Sequence, residues 1–127
     1  MDENQVTGAI VAAAVEVHRT LGGPGLLESI YEDALSIELR QRGIAFERQV
    51  LVPISYKGVP IEHALRLDLV VQGSVIVECK AVALWNPLFE YQLLTYLRVT
   101  GRRLGLAINF GERLLKDGIR RVINGYL

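Results

Sequence analysis

Apolar positions along residues 5–20 fall at Val6, Ile10, Ala13, Ala14 and Val17, a spacing of three and four that lines up one stripe of a helix. Thr20-Leu21-Gly22-Gly23-Pro24-Gly25 breaks the period. It resumes from about Leu26 to Arg42, with Ile30, Ala34 and Ile37 on one face and Gly43 as the stop, where positive φ commonly ends a helix. The period then falls to two. Phe46 to Tyr56 reads as a strand, and Pro53, which cannot donate to a ladder, makes it an edge or ends its pairing. Leu65, Leu67, Leu69 and Val71 alternate with Arg66, Asp68, Val70 and Gln72, which predicts a strand with its leucines on one face and Asp68 on the other. Gln72-Gly73-Ser74 turns the chain into a third strand, and Asn86-Pro87 opens a helix to about Thr100 that sends Leu93 and Leu97 toward a sheet. Leu104 to Phe110 is a short apolar strand, and Leu114 to about Asn124 is expected as a last helix. The order predicts an α/β (α+β) fold, one domain over residues 1–127, with a mixed sheet between helices and no internal repeats.

Glu78 and Lys80 stand out against this pattern because they interrupt the apolar run Val75-Ile76-Val77-Glu78-Cys79-Lys80-Ala81. On a strand they project to one face together, while Val77, Cys79 and Ala81 project to the other. Register decides whether Asp68 joins them. With Val71 opposite Val75 across a three-residue loop, Asp68 falls opposite Glu78, whereas a two-residue loop would set it opposite Cys79. Gly73 suits the longer loop, which needs a residue at positive φ. Two carboxylates and an ammonium on one face are the minimum equipment for holding a hard divalent cation and hydrolysing a phosphodiester. The alternative is a cross-strand salt bridge on a half-exposed sheet.

Half of the 127 residues are hydrophobic, enough for a buried core and too many for a disordered chain. Asp2 and Glu3 stand where a leader would be basic, and the apolar run Ala9–Val15 is too short to span a bilayer, so a cytoplasmic protein without membrane contact is expected. The one cysteine, Cys79, reads as a buried structural thiol, and no cysteine cluster exists for zinc. Net charge is zero but uneven: residues 1–50 carry eight acids against four bases, and residues 98–127 seven bases against two acids. Arg98, Arg102, Arg103, Arg113, Lys116, Arg120 and Arg121 either meet phosphates or form solvated faces. Zero overall charge argues against tight, non-specific binding of duplexes by a monomer. His18 and His63 are isolated, the pattern of structural or exposed histidines. Trp85, Tyr91 and Tyr96 either stack on an unpaired base or complete a core.

The helix, three strands, helix and strand between residues 26 and 110, with Asp68 on the second strand and Glu78-Cys79-Lys80 on the third, resemble the PD-(D/E)xK nuclease superfamily and its restriction-endonuclease-like αβββαβ core. More narrowly, Gly25-Leu26-Leu27-Glu28-Ser29-Ile30-Tyr31 spells G-x-x-E-x-x-Y. With Val17-His18, Leu67-Asp68, Gln92-Leu93-Leu94-Thr95-Tyr96-Leu97 and Ile108-Asn109-Phe110-Gly111, it resembles the GxxExxY family. The resemblance implies an extra N-terminal helix and, with the expected last helix, a C-terminal one flanking the core. It implies Asp68 and Glu78 as the strand acids, Lys80 as the lysine that follows, and Glu28 as a helix acid. Glu28 lies three residues before Tyr31, so both project from one side of their helix; dipole stabilisation is the competing role for Glu28. Gln92 shares a helix face with Tyr96, and a glutamine there lines the site in that superfamily.

The function expected on these grounds is divalent-metal-dependent phosphodiester hydrolysis of nucleic acid, DNA ahead of RNA. Asp68, Glu78, the Cys79 carbonyl and Glu28 would serve as metal ligands for Mg²⁺ or Mn²⁺, with Lys80 and Gln92 beside them in catalysis. The rival is a non-catalytic binding or regulatory module that keeps the fold. A homodimer is a third expectation, since the apolar stripe from Ala9 to Val17 offers a surface for a second copy.

Overall fold

The computed structural model describes residues 1–125. Helix α1 spans Glu3–Thr20 and starts on a reciprocal cap, in which the Asp2 carboxylate accepts from the Gln5 N–H at 2.8 Å and the Gln5 side chain accepts from the Asp2 N–H at 2.9 Å. Helix α2 spans Glu28–Gln41, and the strands follow as β1 (Phe46–Val52), β2 (Ser55–Tyr56), β3 (Val59–Pro60), β4 (Leu65–Val71) and β5 (Val75–Lys80). Helix α3 (Leu88–Thr100) leads to β6 (Leu104–Asn109), a single 3₁₀ turn (Leu115–Gly118) and β7 (Ile119–Ile123). The main sheet has the order β1-β4-β5-β6-β7. Only β5 and β6 are parallel, which is why α3 is needed as the crossover between them.

Two apolar clusters sandwich the sheet. Val6, Ile10, Ala13, Ala14 and Val17 of α1, with Tyr31, Leu35 and Leu39 of α2, pack on Leu69, Val71, Val75, Val77, Cys79, Leu106 and Ile108. On the other face Leu93 and Leu97 of α3 pack on Leu67, Val70, Ile76 and Ala107. Each of the fully buried leucines contributes on the order of 2 kcal/mol of burial free energy. The α1 stripe expected to meet a second copy is thus spent on the protein's own sheet.

Several expectations are corrected. The last helix is instead the 3₁₀ turn and β7, because Gly118 must lie against β6, where a Cβ would come within 2.3 Å of the Asn109 carbonyl oxygen, and Ile119, Val122 and Ile123 then pair with β6. There is accordingly no C-terminal helix among the described residues. The strand expected to reach Tyr56 ends at Val52, just before Pro53, and β1 is an edge strand as proline at that point requires. The α2 stripe is rotated by one position: Tyr31, Leu35 and Leu39 are buried, while Ile30 and Ile37 are exposed. The loop register is as expected. Val71 pairs with Val75 across a three-residue turn whose Gln72 and Gly73 have φ of 55° and 67°.

The β4 alternation does not hold through Asp68. Leu65 and Leu67 belong to the α3-side cluster, but Leu69 and Val71 belong to the α1/α2-side cluster. The edge strand does the same at the same level: Phe46 packs on the α1/α2 side and Val50 and Val52 on the α3 side. Pairing between β1 and β4 runs Arg48 with Leu69 and Val50 with Leu67, skipping Gln49 and Asp68, and Gln49 has φ of 50°. Pairing between β4 and β5 stops at Leu69 with Val77. A notch opens in the sheet at Asp68.

Candidate active site

Where the β4–β5 ladder ends, side chains take over its hydrogen bonds. The Cys79 N–H donates to Asp68 Oδ2 at 2.9 Å, and the Asp68 N–H donates to Glu78 Oε1 at 3.3 Å. This exchange is possible because each carboxylate sits on the strand facing the other's backbone, as the odd register requires. It brings the two carboxyls together at the break, and Glu78 is only 8 % exposed. Burial first, then the neighbouring negative charge of Asp68, push the Glu78 carboxyl up to about 9, with Lys80 opposing. The Glu78 carboxyl therefore keeps its proton at neutral pH. A buried carboxyl that keeps its proton beside a second carboxyl is one where a cation can take the proton's place.

Lys80 lies on the same face, with its Nζ 4.5 Å from the centre of the Phe89 ring in the first turn of α3. Phe89, Gln92 and Tyr96 follow one another at helical spacing on that face of α3. Phe89 meets Lys80 at one end, and at the other Tyr96 has its hydroxyl pKa raised by burial and then by the charges of Glu78 and Asp68. Gln92 lies between them on the helix. Trp85 packs beneath, edge-on to Phe89 at 5.0 Å, with its Nε1–H donating to Glu90 Oε1 at 3.0 Å and the Arg120 guanidinium over its ring. Its role here is packing.

Helix α2 closes the other side. Glu28 opens the helix at the lip of the notch, and partial burial, opposed by Lys80, raises its carboxyl above the ordinary range, with Asp68 and Glu32 adding to the rise. A cleft of about 660 Å³ runs between α2 and the strand edge, lined by Leu27, Glu28, Ser29, Glu32, Arg48, Gln49, Arg66 and Asp68. Tyr31 does not reach this site, contrary to its expected partnership with Glu28. Its ring stacks on Phe110 at 4.8 Å, and its hydroxyl donates to the Gly23 carbonyl at 2.7 Å and accepts from the Leu26 N–H at 3.2 Å. The tyrosine thus pins the glycine loop that launches α2, which in turn sets Glu28. Cys79 is buried on the α1/α2 side, away from Glu78 as expected, and burial holds its thiol in the protonated form.

Among the described residues no three His, Cys, Asp or Glu side chains form a ready-made metal cage. The donors nonetheless suit a magnesium-like ion, which needs only one or two carboxylates and keeps the rest of its shell as water and phosphate. The Cys79 carbonyl supplies a further oxygen on the notch side, because a strand residue's N–H and C=O point to the same edge. His18 takes no part: it is buried, with Nε2 2.8 Å from the Glu112 carbonyl. Of the basic C-terminal residues, Arg103 pairs with Glu3 at 2.9 Å, Arg121 bonds Asn4, and Arg120 sits by Glu90.

Sequence reasoning missed Glu32, Arg48, Gln49 and Phe89. Glu32 sits one turn beyond Glu28, a spacing that signals a shared face. Phe89 likewise precedes Gln92 by three residues. Nothing in the local sequence marks Gln49 for positive φ.

The family model of the PD-(D/E)XK nuclease superfamily matches residues 4–122 of the chain. No curated protein and no solved structure matches it.

Proposed function

Because this chain belongs to the PD-(D/E)XK nuclease superfamily, we propose that its notch hydrolyses phosphodiester bonds of nucleic acid, DNA ahead of RNA, with Mg²⁺ or Mn²⁺. The motif around Glu28 and Tyr31 supports reading it as a GxxExxY-like member of that superfamily. One observation carries the reading: in a break of the sheet the Asp68 carboxylate accepts from the Cys79 N–H and the Glu78 carboxyl from the Asp68 N–H, with Lys80 on the same face.

Asp68, Glu78 and the Cys79 carbonyl would hold the cation, and Glu28 would orient water around it. A bound divalent cation polarises the scissile phosphate and lowers the pKa of a bound water. Lys80 would leave the Phe89 ring and set its ammonium against the developing negative charge, and the Gln92 amide would orient the attacking water or the phosphate backbone. Lys80 stabilises charge in this scheme and is not assigned base work. Arg66, on the cleft wall, would meet phosphates. The expected location is the cytoplasm; no helix among the described residues is long and apolar enough to cross a membrane.

The test is cleavage of single- and double-stranded DNA and RNA with Mg²⁺, Mn²⁺ or chelator. Asp68→Ala and Lys80→Ala should each lose at least about a hundredfold in rate. Equal activity in parent and variants would discard the proposal. Calorimetric titration with Mn²⁺ separates the rival, since a binding module that keeps the fold need show no metal binding lost on Glu78→Ala.

A further inference from the structure

Arg48 and Gln49 are neighbours on β1, and a regular strand would send them to opposite faces. Both instead reach Glu32 on α2. The Arg48 guanidinium donates to Glu32 Oε2 at 2.8 Å, and the Gln49 amide donates to Oε1 and Oε2 at 3.1 and 2.9 Å. This is possible only because Gln49 holds φ at 50°, a conformation unfavourable for a residue with a side chain. Glu32 is itself nearly enclosed, 6 % exposed, and it meets the Arg48 guanidinium, which Asp33 shares. The β1–β4 ladder skips the pair formed by Gln49 and Asp68, and both strands change face there. A backbone twist on the edge strand is thus matched by one at the residue that carries the first strand acid.

We propose that Gln49, clamped in its left-handed conformation by Glu32, is a positioning residue that aims Asp68 into the notch. Glu32 acts through Gln49 and does not ligate. The clamp offsets the strain of φ at 50°; released, Gln49 relaxes to an extended conformation, β1 pairs with β4 through Asp68, and the carboxylate turns away from Cys79. The inference deepens the metal-site reading and rests on it for its catalytic meaning, but it has a readout of its own. The Cys79 N–H donates to Asp68 Oδ2, so hydrogen exchange at that amide reports where Asp68 points with no metal present.

Glu32→Ala should raise exchange at the Cys79 amide about tenfold while leaving Val75 and Val77 unchanged. Adding Gln49→Gly to Glu32→Ala should restore protection to within about threefold, because glycine adopts positive φ without a clamp. Gln49→Val keeps the Glu32–Arg48 pair but resists the left-handed backbone, and should show the same loss as Glu32→Ala. Parental protection of Cys79 in either Glu32→Ala or Gln49→Val overturns the proposal, as does failure of glycine to restore it. Mn²⁺ titration of the same proteins should follow the exchange, weaker by about tenfold in Glu32→Ala and recovered in the double variant. Recovery of exchange without recovery of Mn²⁺ affinity would make Glu32 a ligand and overturn its positioning role. A parent that binds no Mn²⁺ removes the metal-site reading and leaves the exchange data to decide on the clamp.

Discussion

Replacing Glu78 by glutamine should make this protein more stable at neutral pH while disabling its site. The folded state holds the Glu78 carboxyl protonated up to about 9, whereas the same group ionises near 4.5 in the unfolded chain. A raised folded pKa favours the folded state below the unfolded value, and that advantage is lost as pH climbs toward the folded value. The window of loss is therefore from about 4.5 to about 9. At pH 7 the unfolded chain has gained about 2.5 units of ionisation free energy that the folded chain has not, worth about 3 kcal/mol at 1.36 kcal/mol per unit. Glutamine cannot ionise, and its amide oxygen can still accept from the Asp68 N–H as Glu78 does. Urea unfolding at several pH values reads the difference. Glu78→Gln should match the parent near pH 4 and exceed it by about 3 kcal/mol at pH 7, with a flatter dependence between. The same variant should lose Mn²⁺ binding, the usual exchange of stability for activity at a strained site. A variant no more stable than the parent at pH 7, or two parallel pH curves, would refute the reasoning.

Other substitutions test the supports of the site. Asn109 is buried at the end of β6, where its side chain accepts from the Val82 N–H and donates to the Val82 carbonyl, both at 3.0 Å, so Asn109→Ala should cost about 2–4 kcal/mol in thermal or urea unfolding by orphaning both groups. Gly111→Ala should cost about 3 kcal/mol in the same assay, because the new Cβ would lie 2.4 Å from the Val82 carbonyl oxygen. Tyr31→Phe keeps the stacking on Phe110 but removes both hydroxyl bonds to the glycine loop, and should cost about 1–2 kcal/mol with increased hydrogen exchange at Leu26. Leu93→Ala, in the α3-side core, should cost about 2–5 kcal/mol by cavity formation and leave Mn²⁺ affinity unchanged.

By itself the sequence determined what depends on neighbours along the chain. Helical spacing of Val6, Ile10, Ala13, Ala14 and Val17 specified the buried face of α1, and Gly73 with the flanking valines specified the Val71–Val75 register that brings Asp68 beside Glu78 just past the end of the ladder. Period-two alternation also put Glu78 and Lys80 on one face, since a pleat leaves adjacent residues no choice. Tertiary structure decided the rest. The alternation of β4 predicted one apolar face, yet Leu67 and Leu69 bury on opposite sides, because the twist at Asp68 comes from Gln49, nineteen residues earlier on the edge strand, and a helix beyond it. The C-terminal segment had an apolar content compatible with either period, and only the open edge of β6 and the close approach of Gly118 made it a strand. The clamp of Glu32 on Gln49 is the clearest case: a left-handed backbone on a glutamine costs free energy locally, so no local pattern announces it, and it persists only where distant groups hold it in place.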